Sequence, residues 1–138
     1  MKKIHVNISQ TTLEAEKRRR DELDLLRSRL HLLNGKEKVL MTMYLENGSS
    51  FRQIARLAGV SDTSIARRIH ILTERLTDGE YITCLRNRDK FTRDQITIAK
   101  DYFLVGLSMK EIAVKRRWSR YHVRETIIKI KSILNDCG

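Results

Sequence analysis

The sequence predicts a mainly α fold in which two tandem trihelical units follow an N-terminal helix. Three observations carry this expectation. Proline is absent from all 138 residues, so nothing interrupts the helices that the many Leu, Ile, Arg, Lys and Glu residues favour. Capping pairs and glycine stops recur at regular intervals from residue 34 onward. The pattern of the first cycle then returns 58 positions later, dividing the chain into residues 1–33, 34–90 and 91–138.

At the N-terminus, residues 3–7 alternate polar and apolar, with Ile4, Val6 and Ile8 on one side, which predicts a short strand. Thr11 and Glu14 have capping-box spacing and open a helix that runs to Leu33 and stops at Asn34-Gly35. Its Leu23, Leu26, Leu30 and Leu33 form a short seam that would need Glu16 and Arg19 to continue upstream. A free-standing coiled coil needs more heptads than this, so the helix is expected to pack on the body; the alternative is a homodimer contact. In Lys17-Arg18-Arg19-Arg20, Glu14 and Glu16 fall at i,i+4 to Arg18 and Arg20, which reads as a salt-bridged helix face.

The next helix spans residues 36–47 and ends at Gly48. A second opens at Ser50, paired with Gln53, and ends near Gly59; a third runs from Ser61 to about Leu76. Thr77-Asp78-Gly79 breaks the pattern. After Phe91 the cycle restarts: Thr92 pairs with Gln95, Gly106 ends that helix, Ser108 pairs with Glu111, and Ser119 opens the last helix. The 58-residue offset joins Tyr44 to Tyr102, Gly48 to Gly106 and Ala55 to Ala113. It also joins the ladder Ile65, Ile69, Leu72, Leu76 to Val123, Ile127, Ile130, Leu134, each one buried face of a helix. Caps, stops and ladder in one register make an internal repeat.

Each copy meets the demands of a helix-turn-helix, in which one helix braces a second that lies in the major groove. Ala55 and Ala113 supply the small residue where the two helices cross. Gly59 suits the left-handed turn; Arg117 stands there in the second copy, a departure. Ser61 and Ser119 cap the second helices, whose N-termini are poised for a phosphate. The stretches GKEKVLMTMYLENGSSFRQIARLAGVSDTSIARRIHILTERL and TRDQITIAKDYFLVGLSMKEIAVKRRWSRYHVRETIIKIKSIL resemble the helix-turn-helix of region 4 of bacterial sigma-70-type factors and of LuxR-type regulators. The resemblance covers about residues 34–134. It implies double-stranded DNA binding through side chains just after the cap and one turn later. In the second copy these are Arg120, Tyr121, Arg124 and Glu125, and arginine can take guanine bidentately. In the first copy they are Asp62, Thr63, Ala66 and Arg67, of which Thr63 and Arg67 suit base reading.

The charge agrees with a polyanionic partner: the formal net charge is +11, and residues 91–138 hold ten basic and five acidic side chains. Lys110, Arg116 and Arg117 are expected to hold phosphates rather than read sequence. Arg52, Arg67 and Arg68 give the first copy a thinner basic edge. His122 is a further polar group on the second recognition helix, and Trp118 fills the apolar slot matching Val60, a core position. Between the copies, Asp78-Gly79 is a turn, Tyr81 to Leu85 is β-rich, and Asn87 to Asp89 turns back. That connector reads either as the wing of a winged helix, with Arg86, Arg88 and Lys90 beside DNA, or as a plain extended linker.

Chemistry of other kinds is not expected. Asn34-Gly35-Lys36-Glu37 lacks the Ser or Thr of a nucleotide-binding loop. His5, His31, His70 and His122 are scattered, Cys84 and Cys137 match no metal spacing, and no paired carboxylates suggest a cleft, so no enzyme, cofactor or metal is predicted. No apolar run approaches a membrane span and no secretory leader is visible, which predicts a cytoplasmic, nucleoid-associated protein. The leading expectation is a sequence-specific transcriptional regulator, bacterial or phage. The alternatives are a sigma-region-4-like adaptor that binds RNA polymerase, and the DNA-recognition subunit of a phage terminase or transposase.

Overall fold

The computed structural model describes residues 2–137, with side chains from residue 10 onward. The chain is mainly α and forms two compact units, residues 1–66 and 67–138.

In the first unit, α1 (Lys2–Ser28) is followed by a 3-10 turn (Leu30–Leu32), α2 (Gly35–Leu45), α3 (Phe51–Ala58) and the start of α4 (Asp62–Asp78), which crosses into the second unit. Every side chain from Gln10 to Glu22 is exposed, so this part of α1 is solvated all round. Only the end of the segment meets a core, where Leu26, Leu30 and Leu33 are buried with Leu40, Met41, Leu45, Ile54, Ala55 and Ile65. Three of the four seam leucines are thus buried within the chain, and Leu23 is half-buried. Arg27 ties α1 to α2: its Nε and Nη2 donate to the Leu45 carbonyl at 3.2 and 3.1 Å. That places a cation and two donors on the electronegative end of α2.

The second unit continues α4 and adds α5 (Glu80–Arg86), a 3-10 turn (Arg88–Lys90), α6 (Arg93–Ala99), a π-helical segment (Lys100–Val105), α7 (Met109–Arg116) and α8 (Arg120–Cys137). Its core is largely aliphatic: Ile98, Leu104, Ile112, Val123 and Ile130 are fully buried and Ile127 nearly so. Each such side chain contributes about 1.5–3 kcal/mol relative to leaving it in water. Gly106 ends the π-helical segment at φ +84°, and the Arg75 guanidinium fills the space beside it, with Nη1 donating to the Leu104 carbonyl at 3.2 Å. Cys84 is buried, and that burial pushes its thiol up to about 11, leaving it protonated and inert.

The 58-residue register persists in the backbone. α3 and α7 each have eight residues, starting at Phe51 and Met109, and α4 and α8 start at Asp62 and Arg120. Capping boxes close Ser50 with Gln53, Thr92 with Gln95, and Ser108 with Glu111. The chain reversals match too: Ser49 N–H donates to Met43 O at 3.0 Å, and Leu107 N–H donates to Asp101 O at 2.9 Å.

Three expectations are corrected. Residues 3–7 form no strand: α1 begins at Lys2, not at Thr11, and ends at Ser28 rather than at Leu33. No strand is present among the described residues to pair with that segment, so helical bonds satisfy its backbone instead. The wing is absent as well, because the β-rich run Tyr81 to Leu85 is helix α5. Residues 81, 82 and 84 bury there at helical spacing, and tertiary packing overrides the local β-preference. Arg86, Arg88 and Lys90 therefore lie on a helix end and a 3-10 turn.

Candidate nucleic-acid interface

The α7–turn–α8 segment is the most completely specified part of the chain. The Ser108 Oγ accepts from Glu111 N–H, and the Glu111 carboxylate accepts from Ser108 N–H, both at 3.1 Å. Those bonds, the backbone one first, hold the Glu111 carboxyl below its usual range. At the other end of α7, Arg117 adopts φ 60°, ψ 40°, and its N–H donates to Ala113 O. Gly59 does the same in the first copy, at φ 70°, ψ 30°, donating to Ala55 O. The turn keeps its geometry although a side chain replaces glycine, at a cost of about 1 kcal/mol. Ser119 then caps α8, its Oγ accepting from His122 N–H at 3.0 Å.

What holds this turn in place is a buried acid that sequence reasoning missed. Asp101, in the π-helical segment, is 1% exposed. Arg116 grips it twice, Nε to Oδ2 at 2.8 Å and Nη2 to Oδ1 at 3.1 Å, and Lys115 Nζ reaches Oδ1 at 3.1 Å. Burial alone pushes the Asp101 carboxyl up, but the bonds from Arg116 and Lys115 outweigh it and hold the group below its ordinary range. The same pairing raises the Arg116 pKa. The signal was an acidic residue at a position occupied by Met43 in the first copy, 14 and 15 residues before two cations. The three residues expected to hold phosphates are therefore not alike: Arg116 is engaged inside the fold, whereas the Lys110 and Arg117 side chains are exposed and unpaired among the described residues.

Along α8 the side chains sort by helical periodicity. Val123, Ile127 and Ile130 face inward. Arg120 and Arg124 lie one turn apart on one flank, exposed and without a hydrogen-bond or ion-pair partner among the described residues. Tyr121 projects beside them, 73% exposed. His122 falls on the opposite flank, its ring against Trp118 with centroids 4.1 Å apart, and both line a cavity with Gln95 and Lys129. Trp118 is half-buried at the mouth of that cavity rather than in the core.

The first copy presents a different surface. Ser61 Oγ accepts from Ser64 N–H at 3.1 Å, so α4 is capped as α8 is. Asp62 is near the exposed Arg52, at 3.8 Å, which offsets that cation locally. Thr63, Arg67 and Arg68 are exposed. Two apolar side chains of this copy also stand in water: Leu57 is 76% exposed and Val60 44%. The corresponding positions of the second copy are Lys115 and Trp118. Among the described residues no group of His, Cys, Asp or Glu side chains is placed to hold a metal ion, and no helix is long and apolar enough to cross a membrane. No protein-family model, curated protein or solved structure matches the chain.

Proposed function

We propose that this protein binds double-stranded DNA in a sequence-specific manner, as a transcriptional regulator whose two helix-turn-helix segments divide the labour. The α8 segment reads sequence. The observation that carries this reading is the contrast between arginines on neighbouring elements: Arg116 is pinned by Asp101, while Arg120 and Arg124 stand free on the exposed flank of a capped, rigidly held helix. Two arginines one helical turn apart suit bidentate contacts to guanine in the major groove. Lys110 and Arg117 hold phosphates and fix the register, and the Ser119 end of α8 adds its N–H groups to that contact. Arg116 acts behind them as a positioning residue. Thr63, Arg67 and Arg68 of the first copy supply weaker contacts.

A second reading concerns the first copy, and the exposed Leu57 and Val60 favour it. In a DNA-facing surface these side chains meet phosphates; in a protein contact they are covered. This is the adaptor reading, with RNA polymerase as the partner. For a homodimer contact through α1, the described residues offer the exposed stretch from Gln10 to Glu22, since Leu26, Leu30 and Leu33 of the leucine seam are already buried.

The test is selection of bound duplexes from a random pool at one stated salt concentration, since phosphate affinity alone varies steeply with salt. The expected outcome is an enriched motif containing guanine that disappears when Arg120 and Arg124 are both replaced by Ala. Recovery of no motif, with binding that depends only on salt, contradicts sequence reading. Capture of polymerase without DNA, abolished by Leu57→Glu, supports the second reading.

A further inference from the structure

The flank of α8 turned away from Arg120 and Arg124 borders a cavity of about 320 Å³, at the small end of ligand-sized pockets. Its walls come from the start of α6 and from α8. Trp118 supplies an indole face, and the His122 imidazole leans on that ring at 46°. Gln95 is 91% buried, at 9% exposure. Its amide oxygen accepts from Thr92 N–H at 2.9 Å, while its amide nitrogen has no partner among the described residues. No buried side-chain nitrogen or oxygen among the described residues lacks a partner, so this nitrogen reaches solvent on the cavity wall and is free to donate to a ligand. Asp94, Glu125 and Lys129 complete the lining, and none of them has an ion-pair partner among the described residues.

We propose that this cavity binds a basic amino acid as its zwitterion, of the chemical class of L-arginine. The ligand carboxylate takes the open Gln95 amide and the Lys129 ammonium. Its α-ammonium takes Asp94 or Glu125. The guanidinium lies over the Trp118 indole, the aromatic face best suited to a cation. Two acids and one lysine leave the lining with one net negative charge, which the net positive charge of arginine complements. The first copy has no counterpart: Val60, Ser64, Lys36 and Arg67 occupy the places of Trp118, His122, Asp94 and Glu125. Binding here braces the first turns of α8 against α6, so the site is placed to tune how the arginine flank is presented.

Trp118 is the only tryptophan in the chain, so its emission and its indole N–H resonance report on this cavity directly. The full-length protein is titrated, without DNA, with L-arginine, with agmatine (no carboxylate), with L-norvaline (no guanidinium) and with guanidinium chloride, all at matched ionic strength. The expected result is a saturable change with L-arginine at concentrations roughly tenfold below those needed for either fragment. Glu125→Gln and Lys129→Met alter exposed side chains, so both variants stay folded by circular dichroism and bind several-fold more weakly. A response to L-arginine that is linear and equal to that of guanidinium chloride overturns the proposal. So does an unchanged indole resonance, or saturable binding that both variants retain in full. None of these outcomes bears on the proposed DNA contacts of Arg120 and Arg124, which lie on the other flank of α8, whereas Glu125 and His122 line this cavity.

Discussion

Under the proposed function, single residues decide both the base reading and the rigidity of the α8 segment. Arg120→Ala and Arg124→Ala are each expected to cost about 1–3 kcal/mol of discrimination between the preferred duplex and one altered at the matching base pair. Binding titrations on the two duplexes check this; equal weakening on both contradicts a reading role. Asp101→Asn leaves Arg116 and Lys115 at the edge of the core without their counter-charge. Both cations are partly in water, so the expected loss is about 2–3 kcal/mol, below that for a fully buried pair. The pH dependence has a definite sign. The Asp101 pKa is depressed in the folded state, so its stabilisation is complete above the unfolded value of about 4 and is lost as pH falls through the lower folded value. Urea unfolding across that acid range should show the decline in the native protein and a smaller one in Asp101→Asn.

Among the helical elements, the turns that end α7 and the π-helical segment hold left-handed backbones. Arg117 occupies a left-handed conformation that glycine adopts without penalty, so Arg117→Gly should raise stability by about 1 kcal/mol while weakening binding to all duplexes alike. Those opposite movements separate a scaffold effect from a phosphate contact. Gly106→Ala should destabilise, since a Cβ there lies 2.7 Å from Arg75 Nη1 and the backbone has φ +84°. Thermal unfolding reads both variants. The same elements explain what was legible in the sequence. Caps such as Ser108 with Glu111, and ladders such as Val123, Ile127 and Ile130, are local patterns, and they placed α3, α4, α7 and α8 within a residue or two. Tyr81 to Leu85 misled because its β-preference is local while its burial is tertiary. The Asp101 clamp and the Trp118 cavity were illegible for the same reason: each joins residues from separate elements that become neighbours only when α6, α7 and α8 pack.

For the whole molecule, the proposed DNA binding together with the net charge of +11 predicts a salt-dependent affinity for any duplex, on which the sequence preference would be superimposed. Lys110→Ala should lower the slope of log affinity against log salt by about 0.9, the share of one phosphate contact, without changing which duplex is preferred. In the proposed function the arginines of α8, not Arg116 held by Asp101, meet the DNA. The most direct measurement follows the guanidinium Nε–Hε resonances of Arg116, Arg120 and Arg124 while the selected duplex is added. The account predicts that the Arg120 and Arg124 signals shift together and saturate at one duplex per site, while the Arg116 signal, held by Asp101, stays in place. Movement of the Arg116 signal with silence at Arg120 and Arg124 would contradict it.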